Sequence, residues 1–130
     1  MKDRASQNYT CRISYQAPTP PISIATAVFD PAPADNTFYP GDTITFAFTT
    51  SGPFQPSRAT LLTSYRAPVG NRESSPFFND ANSVDILTYQ TLKIGKRQGT
   101  WGLAVLFTVE TKEDSHFFYL PDPEIIVGPE

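Results

Sequence analysis

The sequence predicts an all-β sandwich, and three observations carry that prediction. The chain holds 10 Phe and 6 Tyr against a single Met, with many Val, Ile and Thr, a usage that favours strands. Its 13 prolines in 130 residues are twice the usual ~5% and leave no room for long helices. Short runs of alternating apolar and polar residues, separated by turn signals every eight to twelve positions, give seven or eight strands.

The order of elements begins with a polar stretch, Met1 to Asn8, which reads as a loose terminus. Tyr9-Thr10-Cys11-Arg12-Ile13-Ser14-Tyr15-Gln16 then alternates cleanly, with Tyr9, Cys11, Ile13 and Tyr15 on one face. Ala17-Pro18-Thr19-Pro20-Pro21 follows as a stiff extended spacer. A strand pattern before a proline spacer has two explanations: an extra edge strand of the same sandwich, or an arm that adds to a neighbour's sheet. Residues 1–21 are therefore read as arm and spacer, and 22–130 as the sandwich domain.

Ile22 to Phe29 is the next strand, with Ile22, Ile24 and Val28 sharing a face, and a Pro/Asp/Asn loop ends it. Tyr39-Pro40-Gly41-Asp42 suits a type II turn. It launches Thr43 to Thr50, whose Ile44, Phe46 and Phe48 point one way and whose threonines point the other. Ala59 to Tyr65 is a further strand, and residues 67–83 form a long connection with a short extra strand near Phe77-Phe78. Val84 to Ile94 reads as one strand with a bulge near Thr88–Gln90. Gly99 to Val109 is the densest apolar run: Trp101, Leu103, Val105, Phe107 and Val109 face one side, and Gly102, Ala104, Leu106 and Thr108 the other. Two mostly apolar faces predict a central strand covered on both sides. Phe117 to Leu120 and Glu124 to Val127 finish the sheet.

Three of these stretches resemble an immunoglobulin-like β-sandwich module of about seven to eight antiparallel strands. Tyr39-Pro40-Gly41-Asp42-Thr43-Ile44 is similar to the Pro-Gly-Asp lead-in to the second strand of such modules. Gly99-Thr100-Trp101-Gly102-Leu103 is similar to their Gly-Thr-aromatic lead-in to the sixth, and Glu124-Ile125-Ile126-Val127 to their closing strand. A cysteine pair across the sheets is missing and the tryptophan lies late, so the resemblance does not extend to antibody domains. It implies a fold and no activity, because this superfold hosts many functions.

Chemistry is sparse. The net charge of −3 argues against nucleic acid as a partner, and Lys93, Lys96 and Arg97 read as a solvated turn. One cysteine, Cys11, excludes an internal disulfide and reads as a buried thiol. His116, the only histidine, has no recognisable nucleophile partner and no Gly-x-Ser-x-Gly elbow accompanies it, so no catalytic residue is assigned and an enzyme is not expected. Asp80 to Asp85, and Asp30 with Asp35 and Asp42, could offer oxygens to calcium but lack an EF-hand pattern and read as turns. No metal or cofactor is expected. Asn8-Tyr9-Thr10 is a glycosylation sequon, meaningful only in a secreted chain.

The aromatic surplus is what leans towards function. Tyr9, Ile13 and Tyr15 in the arm, and Phe38, Tyr39, Phe77 and Phe78 in loops, are the candidate contact residues. The expected function is a non-catalytic structural or interaction protein. It would join a larger assembly through its sandwich surface and arm, as a virion shell or tail accessory protein does, with protein partners that include copies of itself. The alternative is a protein- or glycan-binding module of a secreted or cell-surface chain. Residues 1–21 contain no signal-peptide core and no run reaches a membrane span. A native start at Met1 would thus place it in a particle, and a cut-out module at the cell surface.

Overall fold

The computed structural model describes residues 5–15, 22–50, 54–66, 75–78, 82–112, 114–121 and 123–129. These form eleven strands and one short 3-10 turn, Ala34–Asn36. The strands are β1 (Asn8–Tyr15), β2 (Ile22–Ile24), β3 (Thr26–Asp30), β4 (Thr37–Phe38), β5 (Thr43–Thr50), β6 (Pro56–Tyr65), β7 (Ser83–Asp85), β8 (Thr91–Lys93), β9 (Gly99–Glu110), β10 (Ser115–Leu120) and β11 (Glu124–Val127). The all-β expectation holds, and the strands make two sheets that face each other across one core, a β-sandwich.

The small sheet runs β3-β1-β5-β8. The large sheet has β9 at its centre. On one flank β6 pairs along β9 from Pro56 to Tyr65, with a bulge between Pro56 and Arg58, and β7 lies outside β6. On the other flank β10 and β11 lie end to end, with β2 outside β10 and β4 outside β11.

Antiparallel pairing does not hold throughout. β1 runs parallel to β5, β2 parallel to β10, and β4 parallel to β11. For β2 the physical reason lies at Ala25, where the chain changes sheets. Ala25 is buried, its amide bonds the Tyr119 carbonyl at 2.9 Å, and β2 on one side of it serves the large sheet while β3 serves the small. A strand that alternates between sheets meets its neighbours in whichever direction the crossing leaves it. Ile24 and Val28 share a face, as expected, and it is the outer one: Ile24 is 71% and Val28 63% exposed, while Ala25, Ala27 and Phe29 point inward. Bulky rings fill the interior at this edge, and the alanines fit beside them.

The expected long strand at 84–94 is two strands on different sheets. Asp85 ends β7 by accepting the amides of Leu87 and Thr88 and the Thr88 hydroxyl, at 2.9–3.3 Å. That turn carries the chain across to β8. In place of an extra strand near Phe77-Phe78 there is a single bridge, Phe77 to Ile94. The Tyr39–Asp42 turn is as expected, with Asp42 N–H on the Tyr39 carbonyl at 3.0 Å and Gly41 at φ +95°.

The core explains the aromatic content. Phe107 stacks on Phe118 at 5.0 Å, and Tyr15 and Phe48 meet Phe107 edge-on at 5.2 and 4.9 Å. Phe38 takes Tyr9 and Phe29 edge-on at 4.8 and 5.2 Å, and Tyr65 lies against Trp101 at 4.9 Å. Offset and edge-to-face pairs of this kind add about 0.5–1.5 kcal/mol each beyond area burial. The inward faces of β1, β5, β6 and β9 are those that alternation marks.

Candidate functional site

The segment proposed as an arm or edge strand occupies the middle of the small sheet. β1 pairs with β3 on one side and with β5, from Asn8↔Thr43 to Tyr15↔Thr50, on the other. Tyr9, Cys11, Ile13 and Tyr15 are all buried. The Tyr15 hydroxyl donates to the Phe54 carbonyl at 2.7 Å, and burial raises its pKa above the ordinary phenol value. These residues are therefore enclosed by their own domain and present no surface to a partner.

The loop candidates divide. Phe38 and Phe77 are core residues, and Tyr39 is half-buried beside Gly128. Phe78 alone is open, at 72% exposure, with Lys93 Nζ 5.5 Å from its ring centre. The structure does not gather the seven candidates into one site. It brings together Tyr9 and Phe38, but as core packing.

Burial pushes the Cys11 thiol up to about 12, which removes thiolate chemistry at neutral pH. His116 is half-buried on β10 and its buried Nδ1 has no hydrogen-bond partner. Asp42 is fully buried and accepts the amides of Gln7 and Tyr39, each at 2.9 Å, so it locks the chain before β1 to the turn before β5. Asp30 lies 3.5 Å from Arg12, both exposed. Hydrogen bonds, first from the Thr88 hydroxyl and then from two amides, lower the pKa of Asp85. Asp80 lies outside the described residues. Among the described residues, no three His, Cys, Asp or Glu side chains come together.

The two outer faces of the sandwich differ, and this contrast was missed in the sequence. The outer face of the small sheet is polar apart from Val28. Thr43 Oγ1 donates to Asn8 Oδ1 at 2.6 Å, Thr45 and Thr91 hydroxyls pair at 2.8 Å, and Arg12 faces Asp30. The outer face of the large sheet carries Ile24 (71% exposed), Leu62 (38%), Leu106 (47%), Phe117 (54%) and Tyr119 (38%). β9 is thus central within its sheet, but its second face is open, contrary to the two-sided cover expected for it.

Pairing registers place these side chains next to one another. Ile24, Tyr119, Leu106, Thr60 and Asp85 form one row across five strands. Phe117, Thr108 and Arg58 form the row on one side, and Ala104 and Leu62 the row on the other. Single exposed apolar residues are ordinary, whereas a contiguous apolar stripe marks a contact surface. Run lengths and face alternation could have signalled it, since Leu62, Leu106, Phe117 and Tyr119 all fall at outward positions. Comparison of the sequence with protein-family models and with curated proteins finds no match.

Proposed function

We propose that this protein is a non-catalytic structural module that joins a protein assembly through the outer face of its large sheet. The observation that carries the reading is the apolar stripe from Ile24 through Tyr119, Phe117 and Leu106 to Leu62, set against the mostly polar outer face of the opposite sheet. Non-catalytic action is supported by the setting of Cys11, whose thiol is sealed in the core and pushed by burial up to about 12. The buried setting of Tyr9, Ile13 and Tyr15 moves the proposed contact from the N-terminal segment to this face. A virion shell or tail accessory protein is the setting we favour.

We assign the sandwich to the immunoglobulin-like class. Supporting this, β3, β5, β6, β7, β8 and β9 follow the chain order and sheet membership of strands A, B, C, C′, E and F, and β10 and β11, end to end along β9, take the place of G. A-B-E would be one sheet and C′-C-F-G the other. β1 would then be an addition, slotted between A and B.

The test uses protein purified under mild conditions from cells that make it naturally. Wild type is expected in a stable complex larger than one chain, and the double variant Leu106→Glu/Phe117→Glu as a free single chain. Wild type that is itself free, or a double variant that stays in the complex, overturns the reading. The loop reading, a secreted module binding protein or glycan, is favoured by one observation, Phe78 exposed beside Lys93. Phe78→Ala would then lose binding while the double variant kept it.

A further inference from the structure

We propose that the occupant of this face is the same face of a second copy, related by a two-fold axis lying along the apolar stripe. The inference rests on the contact-surface reading above and adds the partner and the geometry. Two features single out a second copy, the area and the charge pattern.

β6 and β9 pair over nine positions of β6, about 30 Å, and five strands abreast span about 20 Å, so the face covers roughly 600 Å² in projection. That is within reach of the ~800 Å² of accessible surface per partner in a stable interface. The stripe crosses this face obliquely, from Ile24 and Phe117 on one flank to Leu62 on the other. An axis along it lays each copy's stripe on its partner's, so Leu106 and Tyr119 pack near their own equivalents. The strands of the two copies then cross steeply, as in orthogonal sheet packing.

The same rotation exchanges the two sides of the stripe. Arg58 lies on one side, two residues along β6 from Thr60, exposed and, among the described residues, without a hydrogen bond or ion pair to another side chain. Glu124 lies on the other side, beside Gly102, and is 56% exposed although it meets Arg66 at 3.3 Å. From strand spacing and rise, both stand roughly 10 Å from the stripe. The two-fold therefore carries Arg58 of one copy over Glu124 of its partner, and twice, since an isologous interface repeats every contact. Opposite charges flanking an apolar centre fix register and suppress other alignments.

Sedimentation equilibrium on the purified full chain tests this, with circular dichroism and thermal melts checking that each variant stays folded. Wild type is expected to dimerise, Leu106→Glu to be monomeric, and Arg58→Glu to weaken the dimer at least tenfold. Arg58→Glu combined with Glu124→Arg is expected to recover most of that loss, because the swapped charges meet again. Wild type that stays monomeric up to about 1 mM, a Kd too weak to matter, overturns the proposal. So does a dimer that survives Leu106→Glu, or a double reversal no better than Arg58→Glu alone. If wild type is monomeric while the complex from native cells still needs Leu106 and Phe117, only the second copy is wrong. If that complex is indifferent to both residues as well, the contact-surface reading falls with it.

Discussion

Replacing Ile13 with Ala separates a strand that belongs to the domain from an arm that merely lies near it. Ile13 is fully enclosed, between Ala27 of β3 and Phe48 of β5, with both neighbours fixed by sheet hydrogen bonds. Truncating a buried Ile to Ala costs about 2–5 kcal/mol, more where the surroundings cannot collapse into the space. A site held on both flanks by paired backbone cannot collapse far, which puts Ile13→Ala near 3–4 kcal/mol in that range. A domain of this size has about 5–15 kcal/mol in total. With a urea m-value of about 2 kcal/mol/M, the unfolding midpoint should fall by roughly 2 M. Ser14→Ala, one residue along on the exposed face, is the control and should stay within about 0.5 kcal/mol. Equilibrium urea unfolding, read by the fluorescence of Trp101, measures both. A shift for Ile13→Ala no larger than that for Ser14→Ala would refute the interior position of β1.

Asp42→Ala should cost about 1–3 kcal/mol in thermal or urea unfolding, because it removes a buried carboxylate that accepts the part-buried amides of Gln7 and Tyr39. Cys11 should resist thiol reagents at pH 8 until the protein unfolds, and prompt labelling of folded protein would contradict its burial. The thiol's pKa rises from 9.0 to about 12 on folding, so the folded chain holds a proton that the unfolded chain loses between those values. Its contribution is complete below pH 9 and declines as pH rises towards 12. Cys11→Ala should therefore flatten the fall in stability over that range, measured by urea midpoints at several pH values. Gly99→Ala should destabilise by more than 1 kcal/mol, since Gly99 sits at φ +151° and an added Cβ overlaps the Tyr65 ring. Much of the steric part should vanish in a Tyr65→Ala background.

Period-two alternation identified the strands and most of the core, because burial on one face leaves a mark in every second residue. Ile44, Leu61, Trp101 and Phe107 were all legible in this way. The alternation records which face is buried and is silent about which strand lies alongside. That is why the crossings at Ala25 and at the Asp85 turn, and the parallel pairings, were not legible. The inward face of β2 and β3 is not legible, because small residues, Ala25 and Ala27, sit inward among rings while Ile24 and Val28 sit outside. The apolar outer stripe escaped notice for a related reason: Leu106 was interpreted as evidence of a second covering layer. An exposed apolar face and a covered one carry the same residues.

The position of β1 has a consequence for how the chain reaches its fold. β1 is complete within the first fifteen residues, yet its partners β3 and β5 end at Asp30 and Thr50. On the ribosome it emerges before either of them and must wait for both flanks before its amides find carbonyls. During that wait Tyr9, Cys11, Ile13 and Tyr15 remain uncovered, and the core they complete cannot close. Contacts of such sequence separation slow folding. Once docked, the strand is held from both sides. Its amides should then exchange with solvent as slowly as those of β9.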